Sequence, residues 1–378
     1  MPRHFPIALL SALISVAAFI LPGQAAGEAT HRALRSSVRA IRPPRANAVG
    51  ERVPTLGWVS GSTLPVAVTD NGGGAGAGDT FYVPGGFKSG SCETGQCLND
   101  TVQLYVKSSD TWTNDTADPI PPVNGLKPGL AESAVCYDPA GEKVHIINGL
   151  ANDSVGHGYL LAQHLVYDPA APAGSRLSYL SYPVDSLGNV WQGQSPGCAF
   201  IGGELYLFGG YGVIGSGQPQ LLDATWVYDP ATDSWSDTGK RMQHRRAWMG
   251  YTTNGAMAFV AGGSDLAGFH LRSIAATEEF SPTTGWKLTA LLPKPLLAPG
   301  EGLIGTHLVV WGGGDRYFVP QNRSYGCTLP SCSSFTTLGF ILPSAKWFSA
   351  FGSGSSLYNA GGNLGGPGDP VNTTEHLP

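Results

Sequence analysis

The sequence has little charge: Asp, Glu, Lys and Arg make up only 13% of its 378 residues, which is about half the usual share. Residues 53–378 carry 15 basic and 25 acidic side chains, a net charge of −10. Proteins bind phosphate backbones with clustered cations. We therefore expect no nucleic-acid partner.

Long apolar runs are also missing, except at the N-terminus. Ile7 to Leu21 is apolar apart from two serines, with Arg3 before it and small residues up to Ala26 after it. This run is shorter than the roughly 18–20 residues that span a membrane. It predicts a secretory signal peptide over residues 1–26, a secreted protein and no membrane span.

A second segment of distinct composition follows the signal. Residues 27–52 contain six arginines and Pro43-Pro44 but no apolar period. Such a segment cannot bury a core. We predict a linker or propeptide over residues 27–52 and a folded domain over residues 53–378.

The composition disfavours helices. Gly 53 and Pro 29 both break helices, yet they are too few for a collagen. Hydrophobic residues reach 42%, with Trp 9 and Tyr 14, and aromatic residues suit half-buried strands. The sequence therefore predicts an all-β protein.

A repeat runs through the predicted domain. Each unit has an apolar strand that ends in a glycine pair, then a strand with Tyr or Phe, then a strand with Trp, as in Leu205–Gly210, Ala224–Pro230 and Asp233–Trp235. The pairs begin at positions 85, 148, 209, 262, 312 and 361, the second being the degraded pair Asn148-Gly149, so the spacings are 63, 61, 53, 50 and 49. This pattern resembles the Kelch family over residues 58–378. The resemblance implies four-stranded blades of a β-propeller and leaves the function open.

The two ends of the repeat array complement each other. The last unit stops at Leu377 after its third strand, and Gly57–Pro65 resembles Gly285–Pro293, which contains the fourth strand of another unit. Open sheet edges are avoided in proteins. We therefore predict a six-bladed propeller that is closed by the N-terminal strand joining the last blade.

Six cysteines in a predicted secreted chain favour disulfides. Cys92–Cys97 and Cys327–Cys332 are each spaced Cys-x4-Cys and are expected to pair locally. Cys136 and Cys198 each lie five residues before a turn glycine. They therefore occupy equivalent positions on adjacent inner strands, which favours a cross-blade disulfide over two free thiols.

We expect no metal and no cofactor. Zinc would need two converging Cys/His pairs. Galactose oxidase, which also has Kelch repeats, holds copper with two Tyr, two His and a Cys linked to one Tyr, whereas every Cys here can be paired. The Asn-x-Ser/Thr pattern predicts glycosylation acceptors at Asn99, Asn114, Asn152, Asn322 and Asn372.

Aligning the inner strands places polar and aromatic residues at one mouth of the central channel, including Asp70-Asn71 and Gln194-Ser195. The substrate-binding candidates are Glu132, Trp191, Trp248, Glu301, Lys346, Trp347 and Phe348, and the catalytic candidates are His244, Arg245 and Arg246. A few polar groups among aromatic side chains are typical of small-molecule pockets. The alternative is that the charges are only solvated and the aromatic residues only pack.

Three functions are compatible with this mouth. At the level of architecture the chain is similar to secreted fungal propellers that join a quinone methide to a sesquiterpene alkene by a hetero-Diels–Alder reaction. In such a pericyclase Trp248, Trp347 and Phe348 would hold the alkene, and Arg245, Arg246 or His244 would polarise a carbonyl oxygen. The second function is an extracellular module that binds glycan or protein. The third is a sugar epimerase similar to the sialic acid epimerases, with Glu132 or Glu301 and Arg246 in acid–base roles.

Overall fold

The computed structural model describes residues 57–89, 97–267, 270–330, 332–365 and 370–378. In these ranges every regular element is a strand, except for one 3-10 turn at Lys107–Ser109. The predicted all-β class is therefore confirmed. The described ranges contain no helix that is long and apolar enough to cross a membrane.

The strands are numbered in chain order. The strands up to Tyr179 are β1 (Val59–Gly61), β2 (Ala75–Ala77), β3 (Thr80–Pro84), β4 (Phe87–Lys88), β5 (Cys97–Leu98), β6 (Val102–Val106), β7 (Thr111–Asp115), β8 (Ala134–Asp138), β9 (Lys143–Ile147), β10 (Leu150–Asn152), β11 (Gly158–Leu160), β12 (His164–Tyr167) and β13 (Leu177–Tyr179). The next are β14 (Trp191–Gln194), β15 (Gly197–Ile201), β16 (Glu204–Phe208), β17 (Tyr211–Ile214), β18 (Gln220–Leu221), β19 (Ala224–Asp229), β20 (Ser234–Arg241), β21 (Gly250–Thr253), β22 (Ala258–Ala261), β23 (Ser264–Ala267), β24 (His270–Ser273), β25 (Thr277–Ser281) and β26 (Gly285–Leu288). The last are β27 (Gly300–Ile304), β28 (His307–Trp311), β29 (Arg323–Thr328), β30 (Thr336–Ile341), β31 (Ala350–Ser353), β32 (Leu357–Ala360) and β33 (Thr374–Leu377).

Most strands belong to four-stranded antiparallel sheets, of which the described residues form six. Numbered along the chain and written from the first strand outward, the sheets are β2-β3-β6-β7, β8-β9-β12-β13, β15-β16-β19-β20, β21-β22-β25-β26, β27-β28-β29-β30 and β31-β32-β33-β1. The first strand of each sheet contacts the first strand of the next, and β31 contacts β2. These first strands are therefore the innermost strands.

Strand β1 is the outermost strand of the sixth sheet. It pairs antiparallel with β33, with Val59 opposite His376 and Gly61 opposite Thr374. The preceding residue, Trp58, packs against Trp311 of the fifth sheet, with ring centroids 5.0 Å apart. Its indole Nε1 donates a hydrogen bond to Ser324 Oγ at 3.1 Å. The N-terminal strand is thus bonded to one sheet and packed on another.

The glycine pairs end the second strands and allow close packing between sheets. Gly85 has a φ of +61°, and a Cβ there would overlap the Leu130 carbonyl oxygen. Gly361 has a φ of +66° and meets the Val68 carbonyl oxygen in the same way. Only glycine adopts this backbone conformation without strain and also lacks the clashing atom.

The antiparallel order brings two kinds of loop to one end of the sheets. One kind joins the second strand of a sheet to its third strand, and the other joins a fourth strand to the innermost strand of the next sheet. At that end the innermost strands begin, the second strands end and the fourth strands end. We call this end the connection face. Its described residues belong to segments 62–74, 85–101, 116–133, 148–163, 180–196, 209–223, 242–249, 262–276, 289–299, 312–322, 342–349 and 361–373.

Candidate functional site

Six residues of the connection face form a closed ring of backbone hydrogen bonds immediately before the innermost strands. Each N–H donates to the carbonyl oxygen of the equivalent residue in the preceding sheet. The bonds are Glu132 to Asp70 (2.7 Å), Ser195 to Glu132 (2.6 Å), Trp248 to Ser195 (3.4 Å), Ala298 to Trp248 (2.8 Å), Phe348 to Ala298 (3.4 Å) and Asp70 to Phe348 (3.0 Å). We call these six residues the axial ring.

All six ring residues have a left-handed backbone, with φ from 48° at Ala298 to 55° at Glu132. This conformation costs a residue with a Cβ roughly 1–2 kcal/mol. All six ring residues adopt this unfavourable conformation, and all six take part in the ring of hydrogen bonds. We infer that these hydrogen bonds stabilise the left-handed backbone. The order around the ring creates a polar arc of Asp70, Glu132 and Ser195 and an apolar arc of Trp248, Ala298 and Phe348.

The polar arc contains two neighbouring carboxyl groups. Glu132 is buried, and its Oε2 accepts hydrogen bonds from Ser195 Oγ at 3.0 Å and from Trp248 Nε1 at 3.1 Å. Burial raises the pKa of Asp70, and burial together with the Asp70 charge raises the pKa of Glu132. These carboxyl groups therefore retain a proton at higher pH than usual, and the arc can donate a hydrogen bond or receive a cation.

The space below the axial ring is filled. Tyr251 extends from the fourth sheet to the second, where its hydroxyl oxygen accepts a hydrogen bond from the Val135 N–H at 2.9 Å. Phe351 packs edge-on against Tyr251, with ring centroids 5.1 Å apart. Of the ring side chains, Asp70 and Ala298 are partly exposed and the others are buried. A ligand on the axis would therefore meet the ring from outside rather than enter a channel.

Arg246 and Lys346 do not face the mouth. Arg246 is fully buried, forms an ion pair with Glu278 and donates to the carbonyl oxygens of Gly262 at 3.0 Å and Ala276 at 2.7 Å. Lys346 is equally buried and contacts both carboxylate oxygens of Glu375, at 2.7 and 2.6 Å. Burial lowers the pKa of both cations, and the paired glutamates oppose this effect. Both are placed to brace their sheets rather than to contact a ligand.

The remaining candidates are dispersed. Arg245 is exposed and pairs with Asp223 at 3.0 Å, and His244 is exposed beside it. Trp191 is completely buried against Trp226, with ring centroids 5.6 Å apart. Trp347 is buried and donates its indole N–H to Asn363 Oδ1. Of the sequence candidates, the ring brings together only Glu132, Trp248 and Phe348.

Glu301 lies inside the fold, on innermost strand β27. It is fully buried, and no side chain among the described residues donates a hydrogen bond to its carboxyl oxygens. Burial raises its pKa to about 8, which a backbone hydrogen bond from Ala261 and the positive charge of Arg246 only partly offset. At neutral pH Glu301 is therefore largely protonated.

The cysteine positions agree with the pairing expected for two of the three pairs. Cys136–Cys198 and Cys327–Cys332 are disulfides, with Cα atoms 6.1 and 5.4 Å apart. Cys97 is disulfide-bonded, but Cys92 lies outside the described residues, so that pairing stays a prediction.

The predicted glycosylation acceptors differ in accessibility. Asn372 is exposed, and Asn114 and Asn322 are partly exposed. Asn99 is buried, with its amide nitrogen donating to the Gly85 and Thr101 carbonyl oxygens at 3.2 Å each. Asn152 is also buried. Asn99 and Asn152 are therefore less accessible to a glycan than Asn372.

Two features escaped the sequence analysis. Ala298 belongs to the ring, although the alignment there pointed to Glu301. The sequence contains a signal for Ala298, because every ring residue precedes the glycine pair of its repeat unit by 13 to 16 positions. The second feature is a cavity of ≈ 880 Å³ away from the ring, between connections of the second and third sheets. Its lining residues share no motif and could not be found from sequence.

Comparison with known proteins supports the architecture. Residues 194–240, which contain ring residue Ser195 and most of the third sheet, match the Kelch motif. The chain is similar to Kelch-like protein 23 from Homo sapiens, Pongo abelii and Mus musculus, each 25% identical over 64% of this chain and 45% of the relative. The chain thus spans less than half the length of these relatives. At the level of architecture, it is a Kelch-repeat β-propeller.

Proposed function

We propose that the chain is a closed, six-bladed propeller that works as a protein-binding module through its connection face. Three features support closure: the six four-stranded sheets, the pairing of β1 with β33, and the axial ring, whose last bond joins Asp70 to Phe348. In a propeller only the outermost strand of each sheet is a free edge, and such edges are short and protected. We therefore place the binding in the loops of the connection face.

The observation that carries the proposal is the position of the exposed apolar side chains. Single exposed apolar residues are normal, but here they concentrate at one end, and exposed apolar surface marks interaction sites. Among the described residues, the large exposed ones on the connection face are Val155, Tyr182, Leu187, Leu266, Leu291, Tyr317, Val319 and Leu364. The others, Val59, Tyr179, Leu288 and Ile341, lie on outermost strands.

The axial ring indicates the chemistry of the partner. Asp70 is the accessible carboxyl group of the polar arc, with Glu132 behind it. Trp248 and Phe348 lie across the ring in the apolar arc, and both side chains are buried. An ionised carboxyl group at the opening attracts a cation. We infer that the partner presents apolar side chains to the loops and a lysine or arginine side chain to the ring.

Charge substitutions on the two classes of exposed apolar residue test this function. Leu187→Asp with Leu291→Asp alters the connection face, whereas Leu288→Asp with Ile341→Asp alters the outermost strands by the same chemistry. The tagged proteins are incubated with the extract of the host, cross-linked and analysed by mass spectrometry. We expect the same partner with the wild type and the outer-strand variant, and its loss with the connection-face variant. Equal recovery with all three proteins, or with none, would contradict the proposal.

A second candidate, the pericyclase, is favoured by the apolar arc that faces the polar arc. Trp248 and Phe348 would hold the alkene, and protonated Glu132 would donate a hydrogen bond to the quinone-methide oxygen, the role that the sequence assigns to Arg245, Arg246 or His244. Orientation of this kind lowers a barrier by at most roughly 7–11 kcal/mol. The test is the diastereomer ratio formed from a tropolone quinone-methide precursor and humulene. A ratio equal to that of the protein-free reaction would exclude this candidate.

We further propose that the protein is secreted, with residues 1–26 as the signal and residues 27–52 as a linker or propeptide. All of these residues lie outside the described ranges. The disulfides and exposed Asn372 are consistent with this route. N-terminal sequencing and glycopeptide mapping of protein from the culture medium test it, and protein found only inside cells with an intact N-terminus would contradict it.

A further inference from the structure

The cavity between connections of the second and third sheets is a candidate site separate from the axial ring. We call it the side cavity; residues from segments 122–126, 159–164, 179–182 and 190–192 line it, together with Asp153, Val213 and Pro219. Its volume of ≈ 880 Å³ falls within the range of roughly 300–1,000 Å³ that is usual for small-molecule sites. None of the axial-ring residues lines it.

Three tyrosine side chains of the side cavity are accessible to a ligand. Tyr179 and Tyr182 are 52% and 48% exposed, and Tyr159 is partly exposed. Valine, leucine and proline side chains supply much of the remaining lining. Aromatic faces attract organic cations, most strongly where water is displaced. The accessible surface of the side cavity therefore favours an apolar ligand that carries a positive charge.

Asp153 supplies a negative charge to the same cavity. Its side chain is 22% exposed. Desolvation alone would raise the pKa of Asp153, but hydrogen bonds from His157, Tyr159 and Val155 outweigh this effect and hold the pKa at about 2. The carboxyl group is therefore ionised at neutral pH. The described lining residues include no Lys or Arg, and burial lowers the pKa of His164 to about 3, so no positive charge within the lining opposes that of Asp153.

The hydrogen bonds of Asp153 restrict which cation fits. Its Oδ1 accepts hydrogen bonds from the backbone N–H groups of Val155 and His157 at 3.0 and 2.9 Å, and its Oδ2 accepts from His157 Nδ1 and the Tyr159 hydroxyl at 3.0 Å each. An ionised carboxylate has about four lone-pair positions, and all are used here. A primary ammonium group would lose water without gaining a hydrogen bond to this carboxylate, whereas a quaternary ammonium group has no N–H to pair. Asp153 therefore attracts such a cation by charge alone.

We propose that the side cavity binds an organic cation whose charge lies on a quaternary ammonium group and whose remaining surface is apolar. The tyrosine faces and the charge of Asp153 stabilise the ammonium group, and the aliphatic lining contacts the apolar part. Of the exposed apolar residues on the connection face, the site uses only Tyr182. This site and the proposed protein-binding function can therefore fail independently.

Three probes with a benzyl group test the proposal on the full chain by equilibrium dialysis. Benzyltrimethylammonium carries the quaternary group, benzylammonium carries a primary ammonium group, and 2-methyl-1-phenylpropan-2-ol is a neutral alcohol of similar shape. The dialysis is done at pH 8, because a histidine ring is ordinarily neutral there and a protonated His157 would offset the charge of Asp153. We expect the quaternary ion to bind with a dissociation constant of about 1 mM or lower, and the other two probes to bind about fivefold more weakly.

The variant Asp153→Asn removes the charge and keeps a side-chain oxygen for the turn. It should weaken the binding of benzyltrimethylammonium about fivefold and leave the binding of the alcohol unchanged. The matched control is Asp315→Asn, because Asp315 Oδ1 likewise accepts hydrogen bonds from N–H groups two and four residues later, from Tyr317 at 2.8 Å and from Val319 at 3.1 Å. Asp315 does not line the side cavity, so this control should change neither affinity.

A second variant, Tyr179→Leu with Tyr182→Leu, removes two accessible aromatic faces, and its control is Tyr317→Leu, which replaces an exposed tyrosine in a connection of the fifth sheet. The double variant should reduce the preference for the quaternary ion over the alcohol, and it serves as the test if Asp153→Asn does not fold. Equal binding of the quaternary ion and either other probe by the wild type would overturn the proposal. A preference that is unchanged in both Asp153→Asn and the tyrosine variant would overturn it as well.

Discussion

Arg245 and Arg246 are adjacent in sequence but opposite in environment. The Arg245 side chain is 57% exposed, whereas both Arg246 and its partner Glu278 are fully buried. Removing one partner of a buried ion pair leaves an uncompensated charge and costs about 3–5 kcal/mol. An exposed pair contributes about 1 kcal/mol or less.

We therefore predict that Arg246→Met lowers the free energy of unfolding by about 3–5 kcal/mol, and that Arg245→Met, its matched control, changes it by about 1 kcal/mol or less. Denaturant titration of both variants measures the difference. Equal destabilisation by the two substitutions would show that Arg246 does not brace the sheet.

Glu301 makes the stability of the protein depend on pH. Its pKa rises from 4.5 to about 8 on folding, so the folded state retains the proton more strongly than the unfolded chain. The stability contributed by this protonation is present below pH 4.5 and is lost as pH rises to about 8. Above pH 8 the folded state must keep an ionised carboxylate buried at this position.

The variant Glu301→Gln is predicted to remove this dependence. The melting temperature of the wild type should fall relative to that of the variant between pH 5 and pH 9, which thermal unfolding at pH intervals measures. Because Asp70 and Glu132 titrate in both proteins, the difference between the two curves isolates Glu301. Parallel curves would contradict the assignment.

At the scale of elements, the two described disulfides differ in what they join. Cys136–Cys198 links innermost strands β8 and β15 across two sheets, with a sequence separation of 62, whereas Cys327–Cys332 closes a separation of 5. In the chain-entropy account a longer closed loop stabilises more, here by about 4 against about 2 kcal/mol.

Replacing both members of each pair by Ala tests this ranking. The Cys136/Cys198 variant should lose about 4 kcal/mol and the Cys327/Cys332 variant about 2 kcal/mol of unfolding free energy. Calorimetry and denaturant titration measure both losses. The reverse order would mean that packing around the sulfur atoms outweighs chain entropy.

At the scale of the whole molecule, β1 connects the two ends of the chain. Its backbone pairs with β33, and Trp58 packs on the fifth sheet. A protein that begins at Val66 would expose the edge of β33 and lose the burial of Trp58, since exposed edges pair with other chains. We predict a large loss of soluble protein and a lower melting temperature.

The substitution Trp58→Ala provides a milder version of the same test. It keeps the strand but removes a large buried side chain, which typically costs about 3–5 kcal/mol. Unchanged solubility and melting temperature in the protein that begins at Val66 would contradict the closure proposed above.

The all-β class, the repeat units and the equivalence of Cys136 with Cys198 follow from the order of residues along the chain. Each depends on local constraints: glycine pairs that need a positive φ, strands of apolar and aromatic residues, and fixed distances from a turn. Such constraints act within one repeat and can be read along the chain. Glu132, Trp248 and Phe348 were found for the same reason, because their positions repeat.

The side chains that are accessible to a ligand cannot be identified without the packing of the sheets. Arg246 and Lys346 stand two residues before ring positions, yet they pair with Glu278 and Glu375, about thirty residues later on third strands. The side cavity likewise combines residues from several separate connections. Whether a cation faces solvent or a buried carboxylate depends on the packing of distant segments, and the physical reason is that burial and charge pairing are properties of the assembled sheets.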